Sequence, residues 1–173
     1  MMANKLLIDT NSLITPYKRF YPFDLAPGFW DSMRKRIEDG SIIILDKVYD
    51  ELTYVDDDLS KWISDIDNLN PLSHRNPEVI KKYGEVLSHV QISGFYKIKA
   101  LAEWSDAKVA DPWLIAVASV YKYKIITFEN PNGNLSKSAP SAHPKIPDVG
   151  KVFDVECKTL FDVMRDLTFS KIL

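Results

Sequence analysis

A single cysteine, Cys157, among 173 residues leaves no internal disulfide to form and excludes the small secreted scaffolds that disulfides staple. No apolar run reaches the roughly eighteen residues of a membrane-spanning helix, and no charged-then-apolar leader opens the chain. A cytoplasmic protein with no membrane partner is the expectation. Excess positive charge is also missing: 22 Lys and Arg stand against 24 Asp and Glu, a net charge of −2. That excludes a basic body that coats nucleic acid through its bulk field, so any contact with nucleic acid must be local. Histidine is scarce, and His74, His89 and His143 lie in no ligand-like spacing, which argues against a zinc site. A glycine-rich phosphate loop is lacking too, because the first apolar run is followed by Thr10, Asn11 and Ser12. Dinucleotide binding is thereby disfavoured.

What is present reads as an ordinary globular protein, 46% hydrophobic and 27% charged. Residues 1–173 fit one α/β domain, long enough to bury roughly two thirds of the unfolded surface. Lys5 to Ile8 form a short apolar run that predicts a strand buried on both faces. A turn-rich stretch with Pro16, Pro22 and Pro27 follows, then Trp30, Met33 and Ile37 recur at helical spacing up to Gly40. Arg34, Lys35 and Arg36 on that helix read as a solvated face. Ile42 to Leu45 predict a second strand. Val48, Leu52, Val55, Leu59, Trp62 and Ile66 then alternate by fours and threes, predicting one helix with Asp46 as its N-cap. The run Asp56, Asp57 and Asp58 reads as solvated helix surface. Val79, Ile80, Tyr83, Val86, Leu87 and Val90 outline another helix, interrupted at Gly94.

Asp111 before Pro112 opens a helix apolar almost all round, PWLIAVASVY, which predicts the most buried helix of the fold. KIITF, residues 124–128, reads as a third buried strand. Residues 130–150, rich in Pro, Gly and Ser, predict a long mobile loop. KVFDV, residues 151–155, suggests a last strand, and Thr159 with Asp162 resembles a capping box opening a final helix through Leu160, Val163, Met164 and Leu167. Strands separated by helices imply βαβ units, hence a three-layer α/β/α fold around a mostly parallel sheet.

In such sheets ligands bind beyond the carboxyl ends of the strands, which gives weight to acids placed just after apolar strands. Asp9 directly follows the first, and Glu129 follows the third with Thr127 before it. Asp111 stands at a helix start, where capping alone is a sufficient explanation. Glu51 lies on the border of an apolar stripe, so it needs either a cationic partner in an internal salt bridge or a metal. Several carboxylates without a His or Cys cluster suit a hard divalent cation, Mg²⁺ or Mn²⁺. Such a cation makes their mutual repulsion tolerable and serves phosphodiester hydrolysis.

LLIDTNSLI, VYDEL, ADPWLIAVA and TFE, in that order and spacing, resemble the PIN-domain family, and the late IPDV is similar to its toxin-like branch. The resemblance implies a PIN-like α/β/α fold and a Mg²⁺- or Mn²⁺-dependent endoribonuclease. It implies metal-binding and catalytic roles for Asp9, Glu51, Asp111 and Glu129, with Asn11 and Thr127 supporting metal and phosphate. Family members more often carry Asp where Glu129 stands. Asp106 is a reserve for Asp111. An antitoxin protein partner and a homodimer are further implications. Lys18 and Arg19, shortly after the Asp9 motif, are candidates for contacting RNA phosphates, with single strands or loops the expected substrate. Two other readings compete. A haloacid dehalogenase-type phosphatase also begins with a strand-end Asp, but wants a second Asp where Asn11 stands. A PIN-like scaffold that binds RNA or protein without catalysis would have no use for gathered carboxylates.

Overall fold

The computed structural model describes residues 5–169, and within them the predicted α/β architecture is present. The strands are β1 (Leu6–Ile8), β2 (Ile42–Ile43), β3 (Lys124–Ile126) and β4 (Cys157–Lys158). They form an all-parallel sheet in the order β2-β1-β3-β4. Leu6 pairs with Ile42 on one side of β1 and with Lys124 on the other, and Ile125 pairs with Cys157 across the next gap. Leu7, Ile8, Ile125 and Ile126 are fully buried. Helices flank the sheet, as parallel strands require, since each must cross over before pairing again. The chain leaves β1 toward β2 on one side and returns to place β3 on the other. The gap between β1 and β3 is therefore a topological switch point, and both strands end there.

Nine α-helices occur among the described residues, beginning with α1 (Asn11–Thr15), α2 (Pro27–Glu38) and α3 (Asp46–Thr53). They continue with α4 (Asp58–Ser64), α5 (Pro77–Ile92), α6 (Ile98–Trp104), α7 (Asp111–Tyr121), α8 (Ile146–Val152) and α9 (Leu160–Asp166). α7 is the central one: Pro112 through Ser119 are all buried, and it packs against α5 and α8. Such all-round apolarity is the mark of a helix inside a core.

The structure corrects several expectations. Residues 11–20 are helical rather than turn-rich, because α1 runs into a wide π-helical turn over Pro16–Phe20. That turn, closed by the Tyr21 N–H donating to the Pro16 carbonyl at 2.7 Å, accommodates the proline that a regular turn would reject. The single helix expected from Val48 to Ile66 is two. Val55 is 58% exposed, and the chain restarts where the Asp57 carboxylate accepts the Ser60 N–H (2.9 Å) and the Ser60 hydroxyl accepts the Asp57 N–H (3.2 Å). A capping box overrides the apolar spacing. Asp57 is therefore a cap, not merely solvated surface. Asp46 is not an N-cap; Leu45 holds that position, and the Asp46 carboxylate instead binds the His74 backbone N–H (3.1 Å) and ring (2.7 Å). Arg34 and Arg36 are not merely solvated either, since they donate to the backbone carbonyls of Asp65 and Leu167.

The strand expected at residues 151–155 is absent. Pro147 at the first turn and buried Ile146, Val149 and Gly150 make this segment α8, and Asp154, at φ +57°, then turns the chain away. The fourth strand comes later, at Cys157. The loop after β3 ends at Lys145, and it is tied down where Ser141 donates to the Phe95 carbonyl and accepts the Lys97 N–H, both at 2.8 Å. α6 has no counterpart among the helices that periodicity predicts. Thr159 caps α9 as expected, accepting the Asp162 N–H at 3.2 Å.

Candidate functional site

Asp9 is the residue at which β1 stops. Its backbone N–H donates to the Ile126 carbonyl at 2.9 Å, which fixes it beside the end of β3, and its side chain is left 2% exposed. The equally buried Thr127 hydroxyl donates to its Oδ2 at 3.1 Å, and the Asn11 backbone N–H also favours the ionised form. These donors are outweighed. Burial, reinforced by the negative charges of Glu129 and Glu51, pushes Asp9 from its ordinary value of 3.8 up to about 7.

Asp111 stands first in α7, behind Ala110, and is followed by the first-turn Pro112. It is not the N-cap, so the capping explanation for it fails. Among the described residues no hydrogen bond to its carboxylate is present. Burial first, then the charges of Asp9, Glu129 and Glu51, hold it well above the usual carboxylate range, and the Lys145 ammonium opposes them. An uncompensated carboxylate in such a place is costly unless it takes up a proton or meets a cation.

Glu51 reaches in from α3, half-buried, but among the described residues it makes no salt bridge. Its two oxygens accept the Thr10 hydroxyl and, at 3.0 Å, the Ala110 N–H, clamping the end of β1 to the start of α7. Burial still raises its proton affinity above the ordinary value. Glu129 is the most engaged of the four. It accepts from the Lys145 ammonium at 3.1 Å and from the Ile146 N–H at 2.7 Å, which latches the end of β3 to the start of α8. Thr127 completes the lattice, its hydroxyl also accepting the Glu129 N–H at 3.1 Å.

The four acids thus gather at one sheet edge, close enough for each to perturb another. The same environment, burial first and then Glu129 and Asp9, pushes the Cys157 thiol on β4 up to about 12. Among the described residues no group of three or more Asp, Glu, His or Cys stands in an arrangement ready to grip a metal ion. Asp9 and Asp111 carry the donor chemistry a hard cation wants, whereas Glu51 and Glu129 would first have to release neutral or cationic partners.

Asn11 contributes through its backbone, at the start of α1, with its side chain exposed. Lys18 and Arg19 lie exposed on the π-helical turn and make no ion pair with the cluster among the described residues. Asp106 is not brought to the site; its Oδ1 accepts the Lys108 N–H at 2.9 Å in the loop before α7. Lys145, Thr10 and the Ala110 N–H belong to the site without any signal in the sequence. They are joined to their partners only by the tertiary fold, across separations no local pattern spans. No described helix is long and apolar enough to cross a membrane.

A family model described as a domain of unknown function, DUF4411, matches residues 6–171. The chain belongs to that family. Comparison with curated proteins and with solved structures finds no match. The DUF4411 match runs from the start of β1 past the end of α9, so all four acids fall inside it.

Proposed function

We propose that the chain is a metal-dependent nuclease of PIN type that hydrolyses RNA phosphodiester bonds at the carboxylate cluster. The observation that carries this reading is the half-buried carboxylate of Asp111, which accepts no hydrogen bond among the described residues, beside the buried Asp9, both with raised proton affinity at a switch point of a parallel sheet. Asp9 and Asp111 would hold Mg²⁺ or Mn²⁺, with Glu51 in reach once its hydrogen bonds yield. When bound, such a cation neutralises phosphate charge and acidifies water. Thr127 orients Asp9, Glu51 sets the spacing between the end of β1 and the start of α7, and Lys145 lends positive charge near an incoming phosphate. Glu129 acts as the latch that places Lys145, which makes it a positioning residue. A toxin role, with an antitoxin partner and a homodimer, belongs to the proposal through the PIN resemblance alone.

A second reading, a non-catalytic scaffold, is favoured by one observation: Glu51 and Glu129 already have partners without a metal. Cleavage assays separate the two. Wild-type protein with Mn²⁺ should cut a single-stranded RNA, and a chelator should stop it. Asp9→Asn and Asp111→Asn should each lower the rate by more than about a hundredfold, beyond what loss of an outer supporting group costs. RNA cleavage undiminished in both variants would sink the nuclease assignment.

A further inference from the structure

A cleft of about 450 Å³ opens beside the carboxylate cluster, walled by Lys47, Asp50, Glu51 and Tyr54 from α3 and its end, and by Ala107 and Lys108 from the loop before α7. Its volume falls within the roughly 300–1,000 Å³ of small-molecule sites. Glu51 is common to both places, so whatever fills the cleft adjoins the cluster. Tyr54 is 79% exposed, an unusual place for a large ring. Lys108 stands 5.8 Å from the centre of that ring, over one face, which leaves the other face open. The Lys108 backbone is in turn fixed by the Asp106 carboxylate. Lys47 donates to the Ala107 carbonyl at 3.0 Å and lies 5.9 Å from the Trp113 ring, so its ammonium is held at the cleft wall with protons to spare.

We infer that this cleft is a nucleobase subsite for single-stranded RNA, in which a base stacks on Tyr54 while Lys47 and Lys108 meet the flanking phosphates. The inference rests on the nuclease reading for its substrate, and it replaces Lys18 and Arg19 as the main place of contact. In a chain of net charge −2, paired lysines beside an exposed aromatic are what a single strand needs: a platform for any base and local charge for its backbone. A duplex, whose bases are stacked on one another, cannot use Tyr54. The occupant is therefore unpaired RNA.

The test is fluorescence anisotropy of a labelled eight-nucleotide single-stranded RNA with chelator present, alongside a Mn²⁺ cleavage assay of the same proteins. Tyr54→Ala should weaken binding about tenfold or more, and Tyr54→Phe should keep the wild-type affinity. Lys108→Ala should weaken binding and reduce the salt slope by about one unit. Tyr54 is exposed, so loss of fold does not confound the variant. Wild-type protein that shows this pattern but cuts nothing upholds the subsite and removes the nuclease reading. Cleavage by the wild type with Tyr54→Ala unchanged in both Kd and KM overturns the subsite alone, and so does a wild type that binds no single strand.

Discussion

Two acidic regions of this chain carry similar charge, and the fold treats them in opposite ways. Asp56, Asp57 and Asp58 are contiguous, the densest acidic run in the molecule, yet their charges are disposed of cheaply: Asp57 caps α4 and Asp58 pairs with Lys61 at 3.7 Å in solvent. Asp9, Glu51, Asp111 and Glu129 are scattered over 120 positions of the chain, and the fold draws them together at the ends of β1 and β3, with Asp9 buried and the other three half-buried. Density along the chain is a local matter that water and a cap resolve. Convergence in space is a fold-level cost, and only the second region stores a demand for a counter-charge.

The contrast breaks first on pH. Asp9, raised from 3.8 to about 7, binds a proton in the folded state across a window where the unfolded chain has already released it. The folded state then holds more protons, so the stability this group confers is complete below the unfolded value and is lost as pH rises through about 7. For Asp9 this amounts to about 4 kcal/mol between the two ends of that window. Asp111 acts in the same direction. Melting of the metal-free wild type should therefore fall as pH rises from about 4 to 8. Asp9→Asn should flatten that decline and raise the melting temperature at pH 8 by roughly 5–10 °C. A wild-type melting temperature that climbs across the window would reverse the assignment.

The solvated region should respond to substitution differently in kind. Asp57→Ala removes the acceptor for the Ser60 N–H and should destabilise the protein by about 1 kcal/mol. Asp56→Ala and Asp58→Ala should stay within about 0.5 kcal/mol. None of the three should change cleavage, and urea denaturation with a parallel rate measurement reads both. A loss of activity in any of them would erase the distinction between the regions.

How much of this is legible in the sequence depends on whether the signal is local. β1, β3 and α7 announce themselves because strands and helices buried on all sides are continuous apolar runs, and Asp9 and Asp111 stand out because each sits at the end of such a run. β4 hides because two residues, Cys157 and Lys158, cannot show an alternation. The break between α3 and α4 hides because Val55 continues an apolar period that a capping box interrupts. Glu51 is inward, as its place on the apolar stripe implies. Its partners, Thr10 and the Ala110 N–H, are neutral donors from distant segments, so the internal ion pair weighed for it is not what it forms among the described residues. Lys145 lies in a stretch whose composition signals only a loop.

The smallest expected effect belongs to Lys18 and Arg19. Replacing both with Ala in an Asp9→Asn background should flatten the salt dependence of RNA binding by no more than about two units of slope. A change smaller than that of Lys108→Ala alone would place the principal phosphate contacts at the cleft beside Glu51. A larger one would return them to the π-helical turn.

Calorimetric titration with Mn²⁺ tests the central claim most directly, because it asks whether the scattered acids form a cation site without requiring a substrate. Wild-type protein should give saturable heat that strengthens as pH rises through about 7, where Asp9 gives up its proton, and Asp9→Asn should abolish it. A hundredfold excess of Mn²⁺ over its dissociation constant should stabilise the wild type by about 2.7 kcal/mol. Heat no greater than dilution, with no change in melting, would contradict the account.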